Sequence, residues 1–405
     1  MAVVNGAEWF QVFLGLMSAG AVPAPIDPSE PEESQVAAAR SIGAPWIWRS
    51  GDLHAVGSPR PARADRRAGR NECLVKMTSG TTGAPKGLPV THRQMQADGS
   101  QVCISMGIGS EDRNLASIPL GYSYGLGNLV LPLLLQGSPI ICASSPLPQA
   151  IASDASTYKP TVFPTVPPLL KALVASDVPR NSFASVRLVI SAGSPLAPDI
   201  ARSFLEKFGL GVHGFYGTTE TGGIAFDASG AATLLGRSVG KPMSGVVLSP
   251  RSRGRFTVSG PAVSGNGHFC PADRGSLNEK GELVLRGRSD RVAKIAGRRV
   301  NLAEVEAAIR SLQGVRDGFA HMAGDGEPML AAAASTDLSP REVRRRLRTV
   351  LASWKIPTRL VALREFPVTP RGKTDSRKLT QLLSTPRTAT SISTFSAERQ
   401  ISADR

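Results

Sequence analysis

Cysteine is scarce in this chain, with four in 405 residues (Cys73, Cys103, Cys142 and Cys270), none in a C-x-x-C pair and none close to a histidine. That spacing excludes a disulfide-stapled scaffold and a zinc ribbon, and it points to free thiols in a reducing compartment. Long apolar runs are also missing. Only residues 10–26 come close to a targeting or membrane segment, and Gly15, Gly20, Pro23 and Pro25 interrupt them with no basic residue in front. They read as a buried helix followed by a strand, in a cytoplasmic protein without a transmembrane segment. Acidic residues are outnumbered, 32 against 47 Lys and Arg, for a net charge of +15. Such a surface can attract phosphate. Yet the arginine-rich stretches 60–70 and 341–348 lack the interleaved aromatics of a base-stacking groove, so they read as solvated faces and no nucleic-acid partner is expected. No internal repeat is present.

The chain has 41% hydrophobic residues, 41 Gly and 31 Pro, the balance of a loop-rich globular protein long enough for more than one core. Residues 2–4 are apolar, 7–17 have helical apolar spacing and 21–26 are apolar again before Asp27-Pro28. This strand, helix, strand pattern predicts a parallel α/β sheet. The alternation continues with strands at 115–120, 139–142, 161–164 and 186–191 and helices at 167–175 and 198–208. Between 252 and 286 short runs split by glycine predict antiparallel β structure, and after 288 a smaller α+β region has helices near 302–312 and 340–353. The expected fold is therefore α/β: a large domain over 1–288 of parallel α/β sheets plus a β subdomain, a small α+β domain over 289–382, and a flexible tail over 383–405.

The most informative stretch is Thr78-Ser79-Gly80-Thr81-Thr82-Gly83-Ala84-Pro85-Lys86-Gly87, after the apolar Leu74-Val75. Glycines let backbone N–H groups approach a polyphosphate, hydroxyls add donors, and Lys86 adds mobile positive charge. The spacing G-x-x-G-x-x-K-G differs from the Walker loop, whose lysine directly follows its second glycine.

At every specified position these residues match S/T-S-G-S/T-T-G-x-P-K-G, and the chain thereby resembles the adenylate-forming (AMP-binding) superfamily of acyl- and aryl-CoA synthetases, peptide-synthetase adenylation domains and luciferases. Further motifs follow in the family's order. Gly214-Phe215-Tyr216-Gly217-Thr218-Thr219-Glu220 is similar to its Y-G-x-T-E segment, with Tyr216 for adenine, Thr219 for the α-phosphate and Glu220 for Mg²⁺. Ala192-Gly193-Ser194-Pro195-Leu196 resembles a loop that closes over adenine and the acyl group, Ala192 replacing a glycine; Gly193 and Ser194 are then nucleotide-side wall. Asp273, in Ala272-Asp273-Arg274-Gly275, matches the aspartate that accepts both ribose hydroxyls, with Ala272 again in place of a glycine.

The resemblance also implies that Arg288 pairs with the nucleotide, that Asp290 is a hinge, and that Lys294 and Gly297 belong to the segment lining a thiol tunnel. Pro367 to Arg377 resembles P-x-T-x-x-G-K-x-D-R-R/K, with Ser376 in place of an arginine, and makes Lys373 the catalytic lysine bridging the substrate carboxylate and α-phosphate. The implied activity is ATP- and Mg²⁺-dependent activation of a small carboxylic acid, with release of pyrophosphate. Transfer to coenzyme A follows, or to phosphopantetheine on a separate acyl carrier protein, since no carrier segment is evident after the last motif. Rotation of a mobile small domain separates the two steps. Family members have further residues before the strand matching 2–4, so the large domain is expected to be N-terminally short. This leaves a truncated, inactive nucleotide-binding homologue as the alternative.

The acyl pocket implied by the resemblance includes Tyr122, Tyr124, Gly125, Gly222 and Gly223. No Asp or Glu lies between 114 and 153, the region in which amino-acid-activating relatives carry an aspartate. An unpaired buried ammonium is costly, so a fatty or aryl acid is expected rather than an amino acid.

Overall fold

The computed structural model describes residues 1–384 apart from 31, 58–70, 79–85, 289–291, 296–297, 324–328, 352–354 and 370–373, with backbone alone for 78, 288, 292–295 and 298–301. The chain divides into two compact units, one of Met1–Val292 with the short stretch from Val368, the other of Ala293–Pro367 with the residues from Thr374.

In the first unit α1 (Ala7–Ser18) buries Trp9, Val12 and Phe13, spaced for one helical face. Residues 2–4 contribute only an isolated parallel bridge, Ala2 to Arg49. Residues 21–26, expected as a strand, run outside any ladder, because Pro23 and Pro25 have no N–H to give. The segment is instead tied down by single bonds, Ile26 N to Met1 O (2.9 Å) and Val75 N to Pro23 O (3.0 Å).

An antiparallel hairpin follows, β1 (Glu72–Thr78) with β2 (Lys86–Thr91), in register Thr78 to Lys86. Helix α2 (His92–Met106) starts directly after it. Thr91 and Gln94 form a reciprocal capping box, and Gly107 ends the helix in the left-handed region at φ 61°.

The main sheet of this unit is seven-stranded. Its members are β3 (Asn114–Ala116), β4 (Ile140–Cys142), β5 (Val162–Thr165), β6 (Leu188–Ser191), β7 (Val212–Thr218), β8 (Gly222–Phe226) and β9 (Lys241–Pro242), in the order β9-β8-β7-β6-β5-β3-β4. The pairs from β4 through β7 are parallel, while β8 and β9 add on antiparallel. β5 and β6 are buried at every position, as parallel strands covered on both faces must be. One face packs Leu115, Phe163, Val189 and Phe204; the other packs Val162, Leu188 and Ile190 with Val102 and Met106 of α2.

Asp112, Thr161 and Arg187 stand just before β3, β5 and β6 and bind one another there. Arg187 Nε donates to Asp112 Oδ1 (2.8 Å) and Nη2 to Oδ2 (2.6 Å), and Thr161 Oγ1 donates to Oδ1 (2.7 Å). The opposite, C-terminal edge of these strands is where open α/β sheets bind ligands. The antiparallel structure expected between 252 and 286 is present, including β10 (Asp273–Leu277) paired with β11 (Leu283–Arg288).

The second unit packs α3 (Leu302–Arg310) and α4 (Pro340–Leu347) against a sheet of β12 (Val315–Ala323), β13 (Met329–Thr336) and β14 (Arg359–Leu363). α5 (Ser376–Ser384) covers its other face through Leu379 and Leu383. No described helix is long and apolar enough to cross a membrane.

Candidate functional site

The motif residues of the first unit collect at the C-terminal edge of its parallel strands. Residues 119–125 follow β3, Val166 follows β5, Ala192, Gly193 and Ser194 follow β6, and Tyr216, Gly217 and Thr218 end β7. Gly193 needs its glycine for the backbone, at φ 86°; it and Ser194 are exposed. Thr78 and Lys86 close the β1–β2 hairpin, Lys86 exposed, while Ser79, Gly80, Thr81, Thr82 and Gly83 lie outside the described residues.

β7 and β8 form a tight hairpin around Thr219, Glu220 and Thr221. Thr221 N donates to Thr218 O (3.3 Å), and the Thr218 and Thr221 hydroxyls lie 3.1 Å apart. Gly217 is there because a Cβ would stand 2.5 Å from Gly222 O. Gly214 likewise has its N–H on Thr233 Oγ1 (2.8 Å), with no room for a side chain. Glu220 is half-buried, and its carboxylate has no hydrogen-bond or ion-pair partner among the described residues.

Two motifs 57 residues apart meet directly: Tyr216 Oη donates to Asp273 Oδ2 at 3.0 Å. Asp273 stands opposite Arg288 in the β10–β11 ladder. Tyr216, Asp273 and the backbone of Arg288 thus form one cluster. Asp290, Gly297 and Lys373 lie outside the described residues, and Lys294 is described by backbone alone, in the strand Val292–Ile295.

The segment expected to wall an acyl pocket is held on both sides. Tyr124 Oη donates to Ile190 O (2.9 Å), its ring lies 5.6 Å from that of Phe215, and burial pushes its phenol well above the ordinary range. Gly125 has no side chain because a Cβ would fall on Pro119 O. Tyr122 donates to a carboxylate oxygen of buried Asp27. A carboxylate therefore does reach this segment, from a loop 95 residues away, which a search of neighbouring sequence alone misses.

A buried polar network lies beneath the hairpin. Lys76 Nζ of β1 is 3.4 Å from Asp98 Oδ2 of α2, with side-chain exposures of 5% and 3%. Asp98 Oδ1 accepts from Gly223 N (3.1 Å), and Gln101 Nε2 donates to Gly223 O (2.7 Å). None of the three was among the expected site residues. Their signal is a charge inside an apolar strand, Leu74-Val75-Lys76-Met77, and polar residues sharing a helix face with the buried Met95 and Val102.

Among the described residues no group of three or more His, Cys, Asp or Glu side chains is arranged to hold a metal. The half-buried Glu220 carboxylate is a hard oxygen donor that would suit a cation such as Mg²⁺. The buried Cys73 and Cys103 thiols are pushed up to about 11 by burial, so neither is a nucleophile at neutral pH.

Similarity to known proteins runs along almost the whole chain. A feruloyl-CoA synthase from Amycolatopsis sp is 27% identical over 377 residues, covering 85% of this chain and 76% of the relative. Surfactin synthase subunit 2 of Bacillus subtilis is 27% identical over 441 residues, covering 93% of this chain but 12% of that protein. The fold matches the crystal structure of ATP-bound MatB from Rhodopseudomonas palustris with a TM-score of 0.78 at 20% identity, over 94% of this chain and 87% of that one. The sequence model for the AMP-binding enzyme matches residues 46–249, half of the chain, and spans the β1–β2 hairpin, the parallel strands and the Tyr216–Glu220 turn, so the protein belongs to the AMP-binding enzyme family.

Proposed function

We propose that the protein condenses a carboxylic acid with ATP to an acyl-adenylate, releasing pyrophosphate, and then passes the acyl group to the thiol of coenzyme A. The observation that carries this reading is the hydrogen bond from Tyr216 to Asp273, which brings an aromatic ring and an acceptor for ribose hydroxyls together beside Arg288. The ring lies against adenine, the Asp273 carboxylate accepts from the ribose, and the stretch from Thr78 to Lys86, with Thr219, receives the phosphates. Glu220 is the protein ligand for Mg²⁺, which supplies charge neutralisation at the phosphates. Lys373 holds the substrate carboxylate against the α-phosphate as negative charge builds on the leaving pyrophosphate. Residues 289–382 act as a small domain turning about Asp290, so that Lys373 serves adenylation and Gly297 the thiol step.

An aryl acid is the preferred substrate class, on the likeness to feruloyl-CoA synthase. Tyr122, Tyr124 and Gly222-Gly223 bound the end of its pocket. A second reading of the acceptor, phosphopantetheine on a separate carrier protein, draws on the likeness to surfactin synthase subunit 2. Incubation of the protein with ATP, Mg²⁺ and a panel of benzoic, cinnamic and fatty acids, with either coenzyme A or a phosphopantetheinylated carrier protein, tests both. The expected product is an aryl-CoA thioester. Acylated carrier protein with no CoA thioester transfers the assignment to the second reading, and neither product from any acid removes the proposed transfer step.

A further inference from the structure

The β7–β8 hairpin is held by helix α2 as well as by its own ladder. The ladder shifts register between Gly223 and Ala225, and at this bulge both backbone groups of Gly223 turn to α2, the N–H to Asp98 and the carbonyl to Gln101. Gly222 has φ 67°, and a Cβ there would fall on the Asp98 carboxylate, so the fit leaves no slack. Around the turn, Ser264 N donates to Glu220 O (2.8 Å), and the adjacent Val263 O accepts from Gln94 Nε2 of α2 (3.0 Å). Lys76 joins this assembly to β1, the strand that leads into the Thr78–Lys86 stretch.

A buried ion pair at 3.4 Å gains little stability over apolar side chains of the same size, because both charges lose their water. Its effect here is geometric. We propose that Lys76, Asp98 and Gln101 are positioning residues for adenylate formation: they clamp the Gly223 bulge and so fix where the turn presents Thr219 and Glu220 relative to the phosphate-binding hairpin. The proposal rests on the reading that Glu220 holds Mg²⁺.

The test measures pyrophosphate exchange against Mg²⁺ concentration, at saturating ATP and acid, for the full chain and four variants, each with its melting curve. Gln101→Leu leaves Gly223 O unpaired and should raise the Mg²⁺ needed for half-maximal exchange, or lower kcat, by about tenfold, the size usual for groups that orient a metal ligand. KM for the acid should stay unchanged. Asp98→Asn keeps an acceptor for Gly223 but strands the Lys76 charge, so it should lose at least as much. Lys76→Met combined with Asp98→Asn strands no charge and should recover most of that loss. Glu220→Gln serves as the reference. If it shifts the Mg²⁺ dependence while folded Gln101→Leu changes neither that dependence nor kcat, the positioning proposal is overturned and the magnesium reading stands. A double variant no better than Asp98→Asn overturns it too. If Glu220→Gln leaves the Mg²⁺ dependence unchanged, the magnesium reading fails and the proposal with it. Should Asp98→Asn not fold, Gln101→Leu decides.

Discussion

Tyr216 Oη and Asp273 Oδ2 are 3.0 Å apart, joining the end of a sheet strand to the first residue of a β ribbon. The bond holds the carboxylate and the ring in one orientation before any nucleotide arrives. Tyr216→Phe keeps the ring and removes the donor, so KM for ATP should rise by about three- to tenfold with little change in kcat, the range for losing one ordinary hydrogen bond. Asp273→Asn should do more, and the two effects should not add. Steady-state kinetics of the single and double variants check this.

Gly222 and Gly107 both adopt positive φ, 67° and 61°, but only at Gly222 is the space for a side chain taken, by Asp98. Gly107→Ala should cost about 1 kcal/mol from backbone strain alone. Gly222→Ala should cost about 2–3 kcal/mol, because it adds steric displacement of a buried ion pair. Urea midpoints of the two variants against wild type measure the difference.

Much of this was legible in the sequence, for identifiable reasons. The helix at 7–18 and the buried strands around Phe163 and Val189 follow from apolar period and run length, which the core enforces. The strand expected at 21–26 was not formed because two prolines remove ladder donors, a fact that composition shows but apolarity hides. The motif residues could be picked out because their order and spacing follow those of the AMP-binding enzyme family; their roles toward phosphate, ribose and metal are part of the proposed function. Asp98 and Gln101 could not be, since they bind the backbone of a glycine more than a hundred residues away, and a backbone hydrogen bond leaves no residue type to recognise; Lys76 shows only as a charge in an apolar strand, which does not say that Asp98 is its partner. The Tyr122–Asp27 contact was hidden for the same reason of distance along the chain.

Asp112 carries a pH prediction. Burial pushes its carboxyl up, but the Arg187 guanidinium, the Gly109 N–H and the Thr161 hydroxyl together outweigh this and hold it below the ordinary 3.8. A folded value below the unfolded one means that the carboxylate's contribution to stability is complete above about pH 4 and is lost as pH falls through the folded value. Asp112→Asn should therefore lower the melting temperature at pH 7, and its deficit should shrink below pH 4. A deficit independent of pH between 7 and 3 would show that the charge is immaterial.

Lys373 and Asp290 separate the two half-reactions in the proposed mechanism. Lys373→Ala should lower adenylation at least about a hundredfold, as for removal of one preorganised charge, yet still transfer the acyl group from pre-made acyl-adenylate. Asp290→Pro should do the reverse, since a fixed φ restricts rotation. Rapid-quench measurement of each half-reaction distinguishes them; equal loss of both steps by both folded variants would exclude alternation of the small domain.

The most direct measurement is acid-dependent ATP–pyrophosphate exchange by the purified chain, because it reports adenylate formation whatever the thiol acceptor. The account predicts Mg²⁺-dependent exchange with at least one aryl acid, less with the amino-acid analogue, and a steep fall in Glu220→Gln. Absence of exchange with every acid, from a protein that is folded and binds ATP, would contradict it and leave a nucleotide-binding homologue without the activity.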